Sequence, residues 1–276
     1  MEQNAVSELI KLYAKQLRLP SFNKFSKVIQ QLEPSESYAY FLLKLMKTEL
    51  DDRQQTAQEK RIKTAKFPTI KTLDEFDVHR LEHVSEGCIR ELATCDFVGK
   101  RQNVIMVGNP GSGKTHLAIA LGINACCAGF KVRFCTAGSL ATELSEALQE
   151  SRLSRLEKSL RKFDLLIIDE LSYLTFNRSQ SELLFQVISE RSERASVIIT
   201  TNLDFSQWTQ LFENEMMVAA LVDRVTFNSQ ILNMNCTTSY RMETGAERAA
   251  AAPHIAPFHR SLRSLKNGAM CVWQYF

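Results

Sequence analysis

Gly108-Asn-Pro-Gly-Ser-Gly-Lys-Thr115 satisfies the pattern G-x-x-x-x-G-K-[ST], and its surroundings decide what the match means. An apolar run at 103–107 leads into it and a helical pattern from residue 114 leads out, the setting in which such a loop binds phosphate. Its glycines let consecutive backbone N–H groups turn inward around phosphate oxygens, and the following helix N-terminus adds a favourable dipole. In that setting the Lys114 ammonium reaches the β and γ phosphates of a nucleotide and the Thr115 hydroxyl contacts Mg2+. The candidate nucleotide contacts are therefore Gly108, Asn109, Pro110, Gly111, Ser112, Gly113, Lys114, Thr115 and His116.

Beyond the loop, short apolar runs at 103–107, 132–135, 165–168, 197–200 and 231–234 alternate with longer helical patterns at 114–128, 137–162 and 181–191. Most of the runs are unbroken, as expected for strands covered on both faces. Strand and helix in alternation predict an α/β fold, a mainly parallel sheet with crossover helices. Parallel strands present their C-terminal ends to the ligand crevice, and two of the runs end in chemistry-bearing residues. Leu165-Leu-Ile-Ile-Asp-Glu170 supplies Asp169, placed to hold Mg2+, and Glu170, placed to polarise an attacking water. Val197-Ile-Ile-Thr-Thr-Asn202 brings Asn202 alongside, within reach of that water or of the γ-phosphate.

The first fifty residues read as helices, with apolar side chains three and four apart and breaks at Pro20 and Pro34. Between residues 53 and 71, Arg53, Lys60, Arg61, Lys63, Lys66 and Lys71 face only Glu59. This segment reads as a basic hinge, with Lys60, Arg61, Lys63 and Lys66 as candidate contacts to DNA phosphates. Thr72-Leu-Asp-Glu75 has capping-box spacing and predicts a helix carrying Leu81, Val84, Cys88 and Leu92 on its apolar face. The expected division is a helical domain with its hinge at 1–66, an ATPase domain at 67–242, and a flexible tail at 243–276, where the pattern ends.

Composition narrows the class. The 276 residues are 45% hydrophobic and 24% charged, typical of a water-soluble globular protein. No stretch approaches the roughly 18 consecutive apolar residues of a membrane helix, and the polar start after Met1 lacks the basic and apolar regions of a secretory signal. A cytoplasmic address without membrane attachment is expected. Seven cysteines, mostly far apart, suit neither a disulfide framework nor a CxxC metal pair. The net charge of +3 does not by itself call for nucleic acid.

Taken together these residues resemble the AAA+ ATPases, and most closely the IstB-type helper ATPases encoded beside insertion-sequence transposases, with DnaC-type helicase loaders as near relatives. The resemblance rests on Ala65-Lys-Phe-Pro68, Thr72-Leu-Asp-Glu-Phe76, the Lys-Thr-His-Leu-Ala run from Lys114, Ile168-Asp-Glu-Leu171, Leu184-Phe-Gln186, Thr201-Asn202, Ala219-Ala-Leu-Val-Asp-Arg224 and Ser239-Tyr-Arg241. It implies a helical N-terminal domain before an AAA+ sheet, a sensor role for Asn202, and an arginine finger at Arg224 acting on ATP held by a neighbouring subunit. It also implies an ATP-dependent oligomer on double-stranded DNA, a DDE-type transposase as partner, and an initiator-clade helix pair within 137–162. Thr226-Phe-Asn228 departs from the family, which usually carries His or Arg after Asp-Arg. Residues 243–276 match nothing in the family, no clear lid domain follows the sheet, and Arg241 is the sole candidate for a second sensor arginine.

Competing readings fare less well. A GTPase would need a guanine-reading Asn-Lys-x-Asp, and Asn23-Lys-Phe-Ser26 lacks the Asp. A metabolic kinase has no need of Asp169-Glu170, a trans-acting Arg224 and a basic segment together, and a pure ATP sensor could dispense with Glu170. Helicase loading of the DnaC type shares nearly all the motifs and stays open as the alternative to transposition.

Overall fold

The structure, a computed structural model, describes residues 2–33, 37–171, 176–212, 214–237 and 239. Its helices are α1 (Glu2–Gln16), α2 (Phe25–Gln30), α3 (Tyr38–Ala65), α4 (Glu86–Ala93), α5 (Asp96–Gly99), α6 (Lys114–Cys127), α7 (Ala137–Gln149), α8 (Leu153–Leu160), α9 (Arg178–Arg191) and α10 (Glu215–Thr226). The strands are β1 (Asn103–Val107), β2 (Val132–Thr136), β3 (Leu165–Asp169), β4 (Ser196–Thr201) and β5 (Ser229–Asn233).

All five strands pair in parallel, in the order β2-β3-β4-β1-β5. The order follows from burial. β3 and β4 take interior positions and are buried at every residue, while β5, with Gln230 and Asn233, closes an edge. One apolar layer joins α6, α4 and the end of α3 to one face of the sheet, and a second joins α7, α9 and α10 to the other. Arg191 is buried at the end of α9, where its guanidinium donates to the carbonyls of Leu160, Phe163 and Ser196. It thereby ties the start of β4 to the turn before β3, and burial pushes its pKa down to about 10.

Two local expectations are corrected. The segment read as a basic hinge is the second half of α3, which runs unbroken to Ala65 and ends at Lys66 in the left-handed conformation. Glu, Lys, Arg, Gln and Ala dominate that stretch, all good helix formers, and Ile62, Ala65 and Phe67 pack into the first apolar layer. No helix starts at Thr72 either. The Thr72 N–H lies 3.4 Å from Glu75 Oε2, half of a capping box, but the chain then passes through a short turn at Val78–Arg80. The helix begins at Glu86, where the Ser85 hydroxyl accepts from the Cys88 N–H. Arg241 and the tail 243–276 lie outside the described residues.

Candidate nucleotide site

Parallel pairing brings Met106 level with Thr200 and Val107 level with Thr201, while Ile168 pairs with Ile199. The ends of β1, β3 and β4 therefore meet at one edge of the sheet. A cavity of about 340 Å3 opens there. Pro110, Gly111, Ser112, Gly113, Lys114, Thr115 and His116 line it together with Glu170 and Asn202.

The loop has the backbone geometry that its glycines permit. Gly111 and Gly113 sit at φ +82° and +90°, and a Cβ at Gly113 would come within 2.9 Å of the Phe76 ring. The Lys114 ammonium, largely buried, donates to the carbonyls of Gly108 (2.6 Å) and Asn109 (2.8 Å) and to Ser112 Oγ (3.3 Å). It thus lies against the loop itself, where a phosphate would be its stronger partner. Gly108 and Asn109 are set back from the cavity. The Asn109 N–H donates to Asn235 Oδ1 and its side-chain amide to the Cys236 carbonyl, so the chain following β5 braces the loop.

Asp169 is buried below the cavity floor, with 3% of its surface exposed. Its Oδ1 accepts from Thr115 Oγ1 (3.0 Å) and from Thr200 Oγ1 (2.5 Å). This pairing of a hydroxyl on α6 with a carboxylate on β3 is a hard-oxygen donor set, which suits Mg2+. Glu170 follows in the left-handed region at φ +60°, an uncommon conformation for a residue other than glycine.

Sequence reasoning missed one wall of the cavity. Thr69, Lys71, Glu75, Phe76, Asp77 and Arg80 line it from the irregular segment before α4. Phe76 lies 5.5 Å from the His116 ring, and His116 Nε2 is 2.9 Å from the Thr72 carbonyl oxygen. The non-periodic spacing of this segment carried no signal; its one cue, Thr72-Leu-Asp-Glu-Phe76, read as a helix start.

Arg224 does not line the cavity of its own chain. It is exposed on α10, its guanidinium 4.9 Å from the Phe185 ring centroid and donating to Ser189 Oγ. Of the candidate DNA contacts, Lys60, Lys63 and Lys66 are exposed, whereas Arg61 is half-buried and donates to the Cys126 carbonyl at 2.7 Å.

The pattern of the IstB-like ATP-binding proteins matches residues 12–248. The chain belongs to this family. Among its relatives, an ATP-binding protein of insertion sequence IS21 from Pseudomonas aeruginosa is 36% identical over 86% of this chain and 89% of its own. One of insertion sequence IS5376 from Geobacillus stearothermophilus is 39% identical over 75% of this chain and 82% of its own. Solved structures share the fold. AMPPCP-bound DnaA from Aquifex aeolicus matches with a TM-score of 0.53 at 17% identity, over 67% of this chain and 55% of that one. DnaI matches with a TM-score of 0.50 at 18% identity, over 60% and 91%. The IstB-like chain is thus an ATP-binding AAA+ protein with a helical N-terminal region, related to proteins of insertion sequences. Among the described residues no helix is long and apolar enough to cross a membrane.

Proposed function

We propose that this protein hydrolyses ATP with Mg2+, assembles on double-stranded DNA in its ATP-bound form, and there assists a DDE-type transposase. The observation that carries the hydrolytic reading is that Lys114, Thr115 and Glu170 line one cavity, with Asp169 joined to Thr115 at its floor. Lys114 and the loop N–H groups hold the phosphates, with Gly111 and Gly113 at positive φ letting the backbone turn its N–H groups inward. Thr115 and Asp169 hold Mg2+, which when bound neutralises charge on the β and γ phosphate oxygens. Glu170 orients a water and accepts its proton as the water oxygen bonds to the γ phosphorus; the bond to the bridging oxygen breaks, releasing ADP and phosphate. Asn202 fixes the water or the γ-phosphate from the adjacent strand end.

Arg224 acts on the neighbouring subunit's ATP. Its exposure on α10, outside its own cavity, and the support it receives from Phe185 favour that role. Lys60, Lys63 and Lys66 supply the DNA phosphate contacts, with Arg61 docking α3 on α6. The kinship favours transposition over helicase loading, because sequence identities above a third are to insertion-sequence proteins while the likeness to DnaI is one of fold. Substituting Lys114→Ala removes the charge that meets the phosphates. Steady-state phosphate release and nucleotide binding should both fall sharply; unchanged turnover in the pure variant would overturn the assignment.

A further inference from the structure

The turn carrying Asp169 and Glu170 is held by the strand beside it. Thr200 is 1% exposed near the end of β4, and its single hydroxyl serves both acidic residues. It donates its proton to Asp169 Oδ1 at 2.5 Å, and its lone pair accepts the Glu170 backbone N–H at 2.9 Å. These directions are forced, since a backbone N–H can only donate and a carboxylate oxygen can only accept. The Leu171 N–H donates to the Thr200 carbonyl (2.9 Å), and Thr201 Oγ1 donates to the Leu171 carbonyl (2.8 Å). Four bonds from two consecutive threonines thus clamp a turn whose central residue has φ +60°. Such a conformation in a residue bearing Cβ persists where its surroundings over-determine it.

We propose that Thr200, in the wall of the cavity, is a positioning residue for Asp169 and Glu170, its hydroxyl orienting the first toward Mg2+ and fixing the backbone of the second. The inference rests on the reading that this pair works on ATP. It makes β4 part of the hydrolytic centre two residues before Asn202.

The test compares wild type with Thr200→Val, which keeps the shape and loses the hydroxyl, and Thr200→Ser, which keeps the hydroxyl. Binding of a fluorescent ATP analogue is measured in EDTA and across a Mg2+ titration, beside steady-state turnover. Outer partners of metal ligands are typically worth about 10–100-fold in metal affinity or activity. Thr200→Val should therefore raise the Mg2+ concentration for half-maximal effect about tenfold or more, and lower kcat on that scale. Nucleotide affinity should fall far less in EDTA than in saturating Mg2+, and Thr200→Ser should restore both losses. Should Thr200→Val not fold, Thr200→Ala against Thr200→Ser makes the same comparison. A variant without the hydroxyl that matches wild type in Mg2+ dependence would overturn the proposal, as would equal losses in the Ser and hydroxyl-free variants, which would mark a packing role. If wild type proved inactive, the hydrolytic reading would fall while the Mg2+ titration still decided the role of Thr200.

Discussion

Helix α3 passes through two regions that are held together in different ways. Around its second half the sheet forms a dry interior: Leu165, Leu166, Ile167 and Ile168 of β3 are wholly buried. Around its first half, among the described side chains up to Met46, only Ala14, Val28 and Leu45 are buried apolar residues. Leu17 is 68% exposed, Leu43 62% and Tyr38 95%. Polar bonds join α3 there to the turn after α1. The Ser21 N–H donates to Glu49 Oε2 (2.8 Å) and its hydroxyl to Asp52 Oδ2 (2.5 Å), while Lys24 pairs with Asp52 and Arg53 donates to the Arg18 carbonyl. The nucleotide cavity stands on the strand ends of the dry region, and the N-terminal helices leave apolar area in water.

The largest expected effect breaks the idea that the sheet region is self-sufficient. If Arg224 completes a neighbour's site, Arg224→Ala should lower turnover by about 10³–10⁵, the worth of such fingers in phosphoryl transfer. Mixing Arg224→Ala with Lys114→Ala subunits should restore part of it, because some interfaces then join an intact loop to an intact finger. Failure to complement in mixtures shown to assemble would return Arg224 to its own chain.

Core substitutions sharpen the same contrast. Ile167→Ala should cost about 2–5 kcal/mol in denaturant unfolding, the usual range for emptying a packed site. Leu43→Ala, on the open face, should change stability by less than about 0.5 kcal/mol. Equal costs would show that the two regions are packed alike.

A third prediction concerns DNA. Replacing Lys60, Lys63 and Lys66 together by Ala should flatten the dependence of log affinity on log salt by about 2.7, at roughly 0.9 per phosphate contact. Adding Arg61→Ala should loosen α3 without a further change in slope, which separates binding from docking.

The smallest effect is acid sensitivity. Burial raises the Glu49 pKa, but the Ser21 N–H and the Arg53 guanidinium outweigh it and hold the carboxyl below its ordinary value. Hydrogen bonds from Lys24 and Ser21 do the same for Asp52. A carboxyl lowered by folding stabilises the fold above its unfolded pKa, and that contribution is lost as pH falls through the lowered value. Amide exchange should show the N-terminal helices loosening below about pH 4, the ordinary carboxylate range, before β3 and β4 do. Simultaneous loosening would couple the regions more tightly than their bonding suggests.

The dry region was legible and the rest less so, for physical reasons. Short apolar runs, most of them unbroken, marked the five described strands, and Gly108–Thr115 with Asp169 and Glu170 marked the candidate cavity because phosphate chemistry needs those residue types in order. Thr200 was invisible as a partner because its role depends on β4 lying beside β3, a pairing that no local pattern encodes. Phe76 and Lys71 were missed since an irregular segment along a pocket has no periodicity. The basic run at 53–66 misled by its composition, for charge clusters look alike on a helix and in a linker.

In the proposed function ATP governs assembly on DNA, since its γ-phosphate gives Arg224 of a neighbour something to reach and hydrolysis removes it. Sedimentation of wild type and Glu170→Gln with duplex DNA, in ATP, in ADP and without nucleotide, tests this most directly. Glu170→Gln keeps the side-chain shape and the Mg2+ donors but cannot accept the proton of water. Glu170→Gln should form large, long-lived complexes in ATP, wild type transient ones, and neither should assemble with ADP or without nucleotide. Equal assembly in all three conditions would contradict it.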